Sequence, residues 1–141
     1  MLKVFIDTSA FIALLVSSEK WHQQVVDQYQ NYKKENAFFF TNYFVLNELY
    51  TRLIYDFDKK KCEKAINKIR NLKEEGKMGV FEIDPVLFKK SERAFLKFSE
   101  HKISFTDATI YVCVKEYKLD EVFTLDSDFR KIGLKASPSG I

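Results

Sequence analysis

The chain has 141 residues, 46% hydrophobic and 30% charged, with only 4 Gly and 2 Pro. That profile excludes collagenous, disordered and linker-like chains and fits one domain, 1–141, with a core of its own. Its formal charge of +3 suits an anionic polymer as partner, and setting four acids aside at a cation site raises the basic surplus to 7.

Taken in chain order, residues 3–6 form a β-type run that passes straight into Asp7. Residues 10–16 follow as a helix that is apolar nearly all round, hence buried. A second strand is expected at 37–40. A helix at 43–57 carries an apolar stripe at Leu46, Leu49, Tyr50, Leu53, Ile54 and Phe57, the spacing of one core-facing side. The lysine-rich segment 59–77 is expected to be an amphipathic helix that stops near Gly76, with Lys60, Lys64 and Lys68 in one exposed row. A strand at 80–83 precedes Asp84-Pro85, which opens a helix to about Ser99. Another all-apolar helix spans 108–114, a strand spans 121–125 and ends at Asp126, and a fifth strand lies at 134–136. Strands alternating with helices imply right-handed crossovers and a three-layer α/β/α fold around a parallel sheet of about five strands.

Two cysteines, Cys62 and Cys113, lack CxxC spacing, so neither a disulfide framework nor a zinc site is expected. Cys113 falls in a buried helix and is read as core. The apolar stretch 11–16 is too short to span a bilayer and follows an acid rather than a basic leader. A cytoplasmic, membrane-free setting is the expectation.

The chemistry is positional. Asp7 and Asp126 both sit at strand carboxyl ends, and in an open parallel sheet ligands bind in the crevice outside those ends, where strand order reverses. Asp107 opens the second buried helix, as Asp7 opens the first. A helix N-terminus favours an anion, so both carboxylates are expected to stay ionised even when partly buried. Carboxylates gathered without Lys or Arg repel one another unless a cation neutralises them, which points to Mg²⁺ or Mn²⁺ on oxygen ligands. Such ions activate water and steady charge on a phosphate during phosphodiester hydrolysis.

Each acid also has a plain local reading. Asp7 suits an N-cap, Ser104 with Asp107 a capping box, and Asp126 with Asp128 an Asx turn. Glu48 lies off the apolar stripe and could pair with Arg52 one turn on. His22 and His101 are isolated and read as ordinary surface or loop residues. The run 38–40 is read as buried strand rather than a platform for bases.

The segments VFIDTSAFIALL, NEL, SFTDATIYV and FTLDSDF resemble, in order and over nearly the whole chain, the acidic motifs of PIN domains. The resemblance implies a metal-dependent ribonuclease whose catalytic, metal-holding quartet is Asp7, Glu48, Asp107 and Asp126, with Asp128 a further acid at the metal and Ser9 and Thr124 in support. At this length the chain is most similar to the VapC-like toxin subunits of toxin–antitoxin pairs, although its TLDSDF motif departs from the asparagine- or arginine-containing form many of them carry. That likeness implies an RNA substrate, a cognate antitoxin and a homodimer, for which Tyr29, Tyr32, Tyr43, Tyr50 and Tyr55 offer aromatic surface. Lys60, Lys64 and Lys68 are candidates for RNA phosphate contacts. Two alternatives remain: a non-catalytic RNA- or protein-binding module of the same fold, and a haloacid-dehalogenase-like phosphatase built on Asp126-Ser127-Asp128.

Overall fold

In the computed structural model, which describes residues 1–138, five parallel strands form one sheet in the order β3-β2-β1-β4-β5. They are β1 (Lys3–Ile6), β2 (Phe38–Asn42), β3 (Met78–Phe81), β4 (Glu121–Phe123) and β5 (Ala136–Ser137). Seven α-helices connect and flank them: α1 (Thr8–Leu15), α2 (His22–Lys34), α3 (Tyr43–Arg52), α4 (Lys59–Glu74), α5 (Pro85–Lys97), α6 (Phe105–Glu116) and α7 (Asp128–Lys131). The expected α/β/α class is what the chain adopts.

β1 is the central strand and its Val4, Phe5 and Ile6 are fully buried, as are Val122 and Phe123 of the adjoining β4. Such double-sided burial explains why these strands are continuous apolar runs instead of alternating ones. From β1 the chain steps outward to β2 and β3 in one direction, then returns to place β4 and β5 on the other side. The switch point therefore lies between β1 and β4, where Ile6 pairs with Phe123 and the Asp7 amide donates to the Phe123 carbonyl at 3.0 Å.

Several boundaries depart from the sequence reading. β2 extends to Asn42 because its two polar end residues are satisfied: Thr41 Oγ1 donates to the Ile6 carbonyl at 3.1 Å, and Asn42 caps α3 by accepting from the Val45 amide at 2.9 Å. β3 lies two residues earlier than expected, at Met78–Phe81. Its Gly79 admits the Phe40 ring, which would stand 2.9 Å from any Cβ there. The expected helix 43–57 is α3 followed by a π-helical turn, Leu53–Phe57. Helix α2 was not anticipated. It is rich in Gln and Lys, has no side-chain cap at Trp21, and fully buries only Val25 and Tyr32.

α4 ends as expected at Gly76, whose φ of +71° suits glycine. Pro85 opens α5 behind an Asp84 cap that accepts from the Leu87 amide at 2.8 Å. Tyr32 is no surface residue: it is 1% exposed and its hydroxyl donates to buried Glu121 at 2.6 Å. It drops out of the aromatic surface proposed for a subunit contact. Cys62 and Cys113 are free and buried, and burial pushes the Cys113 thiol up to about 11, which fits a core role. Among the described residues no helix is long and apolar enough to cross a membrane.

Candidate active site

Asp7 leaves the carboxyl end of β1 and caps α1. Its Oδ1 accepts from the Thr8 amide at 2.7 Å and its Oδ2 from the Thr124 hydroxyl at 2.8 Å, with Ser9 Oγ at 3.3 Å. Thr124 is the hinge of the arrangement, because the same Oγ1 accepts from the Asp126 amide at 2.9 Å. One buried hydroxyl thus ties the first acid to the last across the switch point. Ser9 Oγ, 3.2 Å from Thr124 Oγ1, accepts from the Leu125 amide at 2.9 Å and fixes the same segment from the α1 side.

β4 ends at Phe123, earlier than expected, so Asp126 does not directly follow the strand. Its position comes from Thr124. Asp126 Oδ1 accepts from the Asp128 amide at 2.8 Å, the anticipated Asx turn, while the Asp128 carboxylate pairs with Lys131 at 2.9 Å. Asp107 sits in the first turn of α6 in a full capping box, its Oδ2 accepting from the Ser104 amide at 3.1 Å and its amide donating to Ser104 Oγ at 3.0 Å. The helix starts at Phe105 because Ser104 caps it.

Glu48 projects from α3 and is half-buried. Arg52 pairs with Asp56 at 3.5 Å rather than with Glu48. The starts of α3 and α6 are locked together by Asn42 Nδ2, which donates to Thr109 Oγ1 at 3.1 Å, both residues fully buried. Sequence reasoning missed this pair, although an Asn just ahead of an apolar-periodic helix was a cap signal in plain view.

The electrostatics join the four acids. Burial pushes the Asp7 carboxyl from 3.8 up to about 7; hydrogen bonds from Thr124 and Thr8 oppose the rise, and the charges of Asp107 and Glu48 add to it. Burial likewise raises Asp107, with Asp126 and Glu48 contributing repulsion. Desolvation outweighs the hydrogen bonds at Asp7, so the expectation that it stays readily ionised is corrected, while Asp107 is shifted in the same direction. Among the described residues, no Lys or Arg is a leading influence on either group.

That donor set, hard oxygens under mutual repulsion, fits a divalent cation, and the buried Thr8 hydroxyl beside Asp7 has no hydrogen-bond partner among the described residues. As the side chains stand, no three His, Cys, Asp or Glu groups among the described residues converge closely enough to hold an ion. Each acid is instead engaged locally, as cap or turn, or held off by like charge. A cavity of about 450 Å³ lies elsewhere: Asn36, Phe38, Gly76 and Lys77 place it at the amino edge of β2 and β3, opposite the acids. Lys68 lines that distant cavity, so the Lys60, Lys64, Lys68 row runs away from the acids.

The fold is thus an open α/β/α sheet with Asp7 at its switch point and Glu48, Asp107 and Asp126 linked to it or to one another by charge. The chain belongs to the PIN domain family, whose model matches residues 4–135. Solved structures share the fold at low identity. VapC20 of Mycobacterium tuberculosis, a sarcin-ricin loop cleaving toxin, has a TM-score of 0.79 at 19% identity, covering 93% of this chain and 95% of its own. VapBC2 from Rickettsia felis, bound to a DNA fragment from its promoter, gives 0.71 at 12% identity over 96% and 98%. FitAcB from Neisseria gonorrhoeae gives 0.65 at 17% identity over 96% of each chain. No curated protein matches the sequence. Membership in this family displaces the dehalogenase-like alternative, whose DxD belongs on a first strand, whereas Asp126 follows the fourth.

Proposed function

We propose that the chain is a single-domain endoribonuclease, 1–141, that hydrolyses RNA phosphodiester bonds with Mg²⁺ or Mn²⁺. The observation that carries this is Asp7: buried at the switch point, raised to about 7, and hydrogen-bonded through Thr124 to the Asp126 segment. Asp7, Glu48, Asp107 and Asp126 would hold the metal, with Asp128 at its margin. Bound there, the metal supplies an activated water and stabilises charge on the phosphate. The chain's own part is to fix the acids: Thr124 and Ser9 orient Asp7 and the Asp126 segment, and the Ser104 box orients Asp107. Cleavage of single-stranded RNA by the purified protein is expected with Mg²⁺ or Mn²⁺ and to disappear in EDTA. Full activity in EDTA would reject the metal, and RNA binding without cleavage under any metal would leave a non-catalytic module.

The fold-level likeness to VapC20 and to a toxin–antitoxin complex from Klebsiella pneumoniae supports a toxin with a cognate antitoxin. A cytoplasmic setting accompanies this role and suits two free buried thiols. Along α4, Lys60, Lys64 and Lys68 are exposed and would add non-specific phosphate contacts. Replacing all three by alanine is expected to flatten the salt dependence of RNA binding by about 0.7 for each phosphate no longer neutralised; an unchanged slope would show a merely solvated face.

Homodimerisation is also proposed. Phe44, Phe88, Phe95 and Phe105 from α3, α5 and α6 form an aromatic cluster with centroids 5.1–6.2 Å apart, next to exposed Val86 and Leu96. Light scattering at micromolar concentration should give twice the 16.7 kDa chain mass, and 16.7 kDa alone would reject the dimer.

A further inference from the structure

A cavity of about 170 Å³ adjoins the acids on the α1 side. Its lining includes Ser9 and Leu125, which are hydrogen-bonded to each other at 2.9 Å, and Ser9 in turn reaches Asp7. One side chain therefore separates the cavity from the buried carboxylate. Beyond the apolar Ile12 and Ala13 of α1, the wall brings Lys20, Trp21 and Arg52 together, with Glu19. We infer that this cavity is a nucleotide subsite in which Trp21 stacks on a base of single-stranded RNA while Lys20 and Arg52 hold the adjoining phosphates.

Trp21 is presented by an ordered turn. The Glu19 amide donates to the Val16 carbonyl at 3.1 Å, the His22 amide to the Glu19 carbonyl at 3.0 Å, and His22 Nδ1 to the Ala13 carbonyl at 2.6 Å. The isolated histidine is thus the strap that holds the tryptophan turn against α1. A ring fixed in advance loses little entropy when a base stacks on it. Lys20 Nζ lies over the indole ring, 4.9 Å from its centroid, a cation–π contact that a base stacking on that face would displace, freeing the ammonium for the adjoining phosphate. Arg52 closes the wall from α3, one turn beyond Glu48, and the π-helical turn begins directly after it. Its partner Asp56 is exposed and stands 3.5 Å from Nε, a weak surface pair from which a phosphate can recruit the guanidinium.

The wall itself carries two cations against one carboxylate, with Asp56 outside it; an anion that draws Arg52 from Asp56 is favoured there, and an indole beside the cations favours a base. The volume lies well below the roughly 300–1,000 Å³ of a pocket for a drug-sized molecule, so it suits one flat ring of a longer strand. Continuity with the acids would place that nucleotide next to the bond being cut. Stacking on an aromatic platform tolerates any base, so this subsite contributes affinity and register more than base choice.

The inference rests on the ribonuclease assignment, and its test separates the two. Trp21 is the only tryptophan, so its emission reports this cavity directly. Single-stranded oligoribonucleotide is titrated into the Asp126→Asn protein with Mg²⁺, recording tryptophan emission and, in parallel, anisotropy of end-labelled RNA. Saturable quenching that follows the anisotropy isotherm is expected. In the otherwise wild-type protein, Trp21→Ala should raise KM for RNA about tenfold or more with kcat within about twofold, and Trp21→Phe should recover most of the loss. Arg52→Ala should weaken binding and lower the salt slope by about 0.7. RNA that binds and is cut normally while Trp21 emission stays constant and Trp21→Ala keeps its KM would overturn the subsite and leave the ribonuclease intact. Absence of both RNA binding and metal-dependent cleavage in the wild-type protein would overturn the ribonuclease and the subsite together. Quenching by a partner protein but not by RNA would assign the cavity to protein binding and reject the nucleotide.

Discussion

Asp126→Asn is expected to cut metal-dependent RNA cleavage by at least about a thousandfold, and Asp128→Asn by only about 10–100-fold. The two acids are two residues apart but differently held. Asp126 is pinned by its amide to Thr124, whose hydroxyl also grips Asp7, and its carboxylate charge acts on Asp107. Only Oδ1 of Asp126 is engaged, by the Asp128 amide, and an asparagine carbonyl can accept that bond equally well. The substitution therefore removes charge while keeping the turn. Asp128 is already paired with Lys131 and is better placed to hold a metal-bound water or a neighbour than the ion itself. Cleavage rates for both variants, with circular dichroism to verify folding, decide the matter: equal losses, or the larger loss at Asp128, would reverse the assignment.

A second large effect concerns stability and has a definite sign. Asp7 titrates near 3.8 when unfolded and near 7 when folded, chiefly because burial disfavours its charge. Between those values the native protein holds a proton that the unfolded chain has released, so stability falls as pH rises from about 4 and levels off above about 7. At 1.36 kcal/mol per unit the penalty approaches roughly 4 kcal/mol, with the raised Asp107 adding in the same direction. In EDTA, urea unfolding of the wild-type protein should show this decline between pH 5 and 8. Asp7→Asn should flatten the curve and be the more stable protein at pH 8, despite having lost activity. Parallel curves for the two would show that Asp7 carries no such penalty.

How much of this was legible in the sequence depended on what each residue has to satisfy. β1 was located to the residue because a fully buried strand must be an unbroken apolar run, and Asp7 stood out by ending it. The ends of β2 were obscured by Thr41 and Asn42, polar residues whose partners, the Ile6 carbonyl and the start of α3, become visible only once strands are paired. Helix α2 escaped because its burial is confined to a few positions in a polar sequence. Asp7, Asp107 and Asp126 could be inferred from strand ends and a helix start. Glu48 could not, since periodicity places it off the core-facing stripe, and only the motif resemblance singled it out. Trp21 was passed over entirely, because a lone aromatic in a turn carries no signal until the chain has folded it toward Ser9 and Arg52.

The caps and turns made by Asp7, Asp107 and Asp126 have a consequence for the order of events in the protein's life. Each of these acids already performs a structural task in the bare polypeptide: opening α1, boxing the start of α6, closing the turn before α7. In structural zinc sites the ion drives folding, and chelators unfold the domain. Here the caps and the turn are satisfied by protein groups alone, so the proposed metal would be loaded onto a scaffold whose local structure does not depend on it.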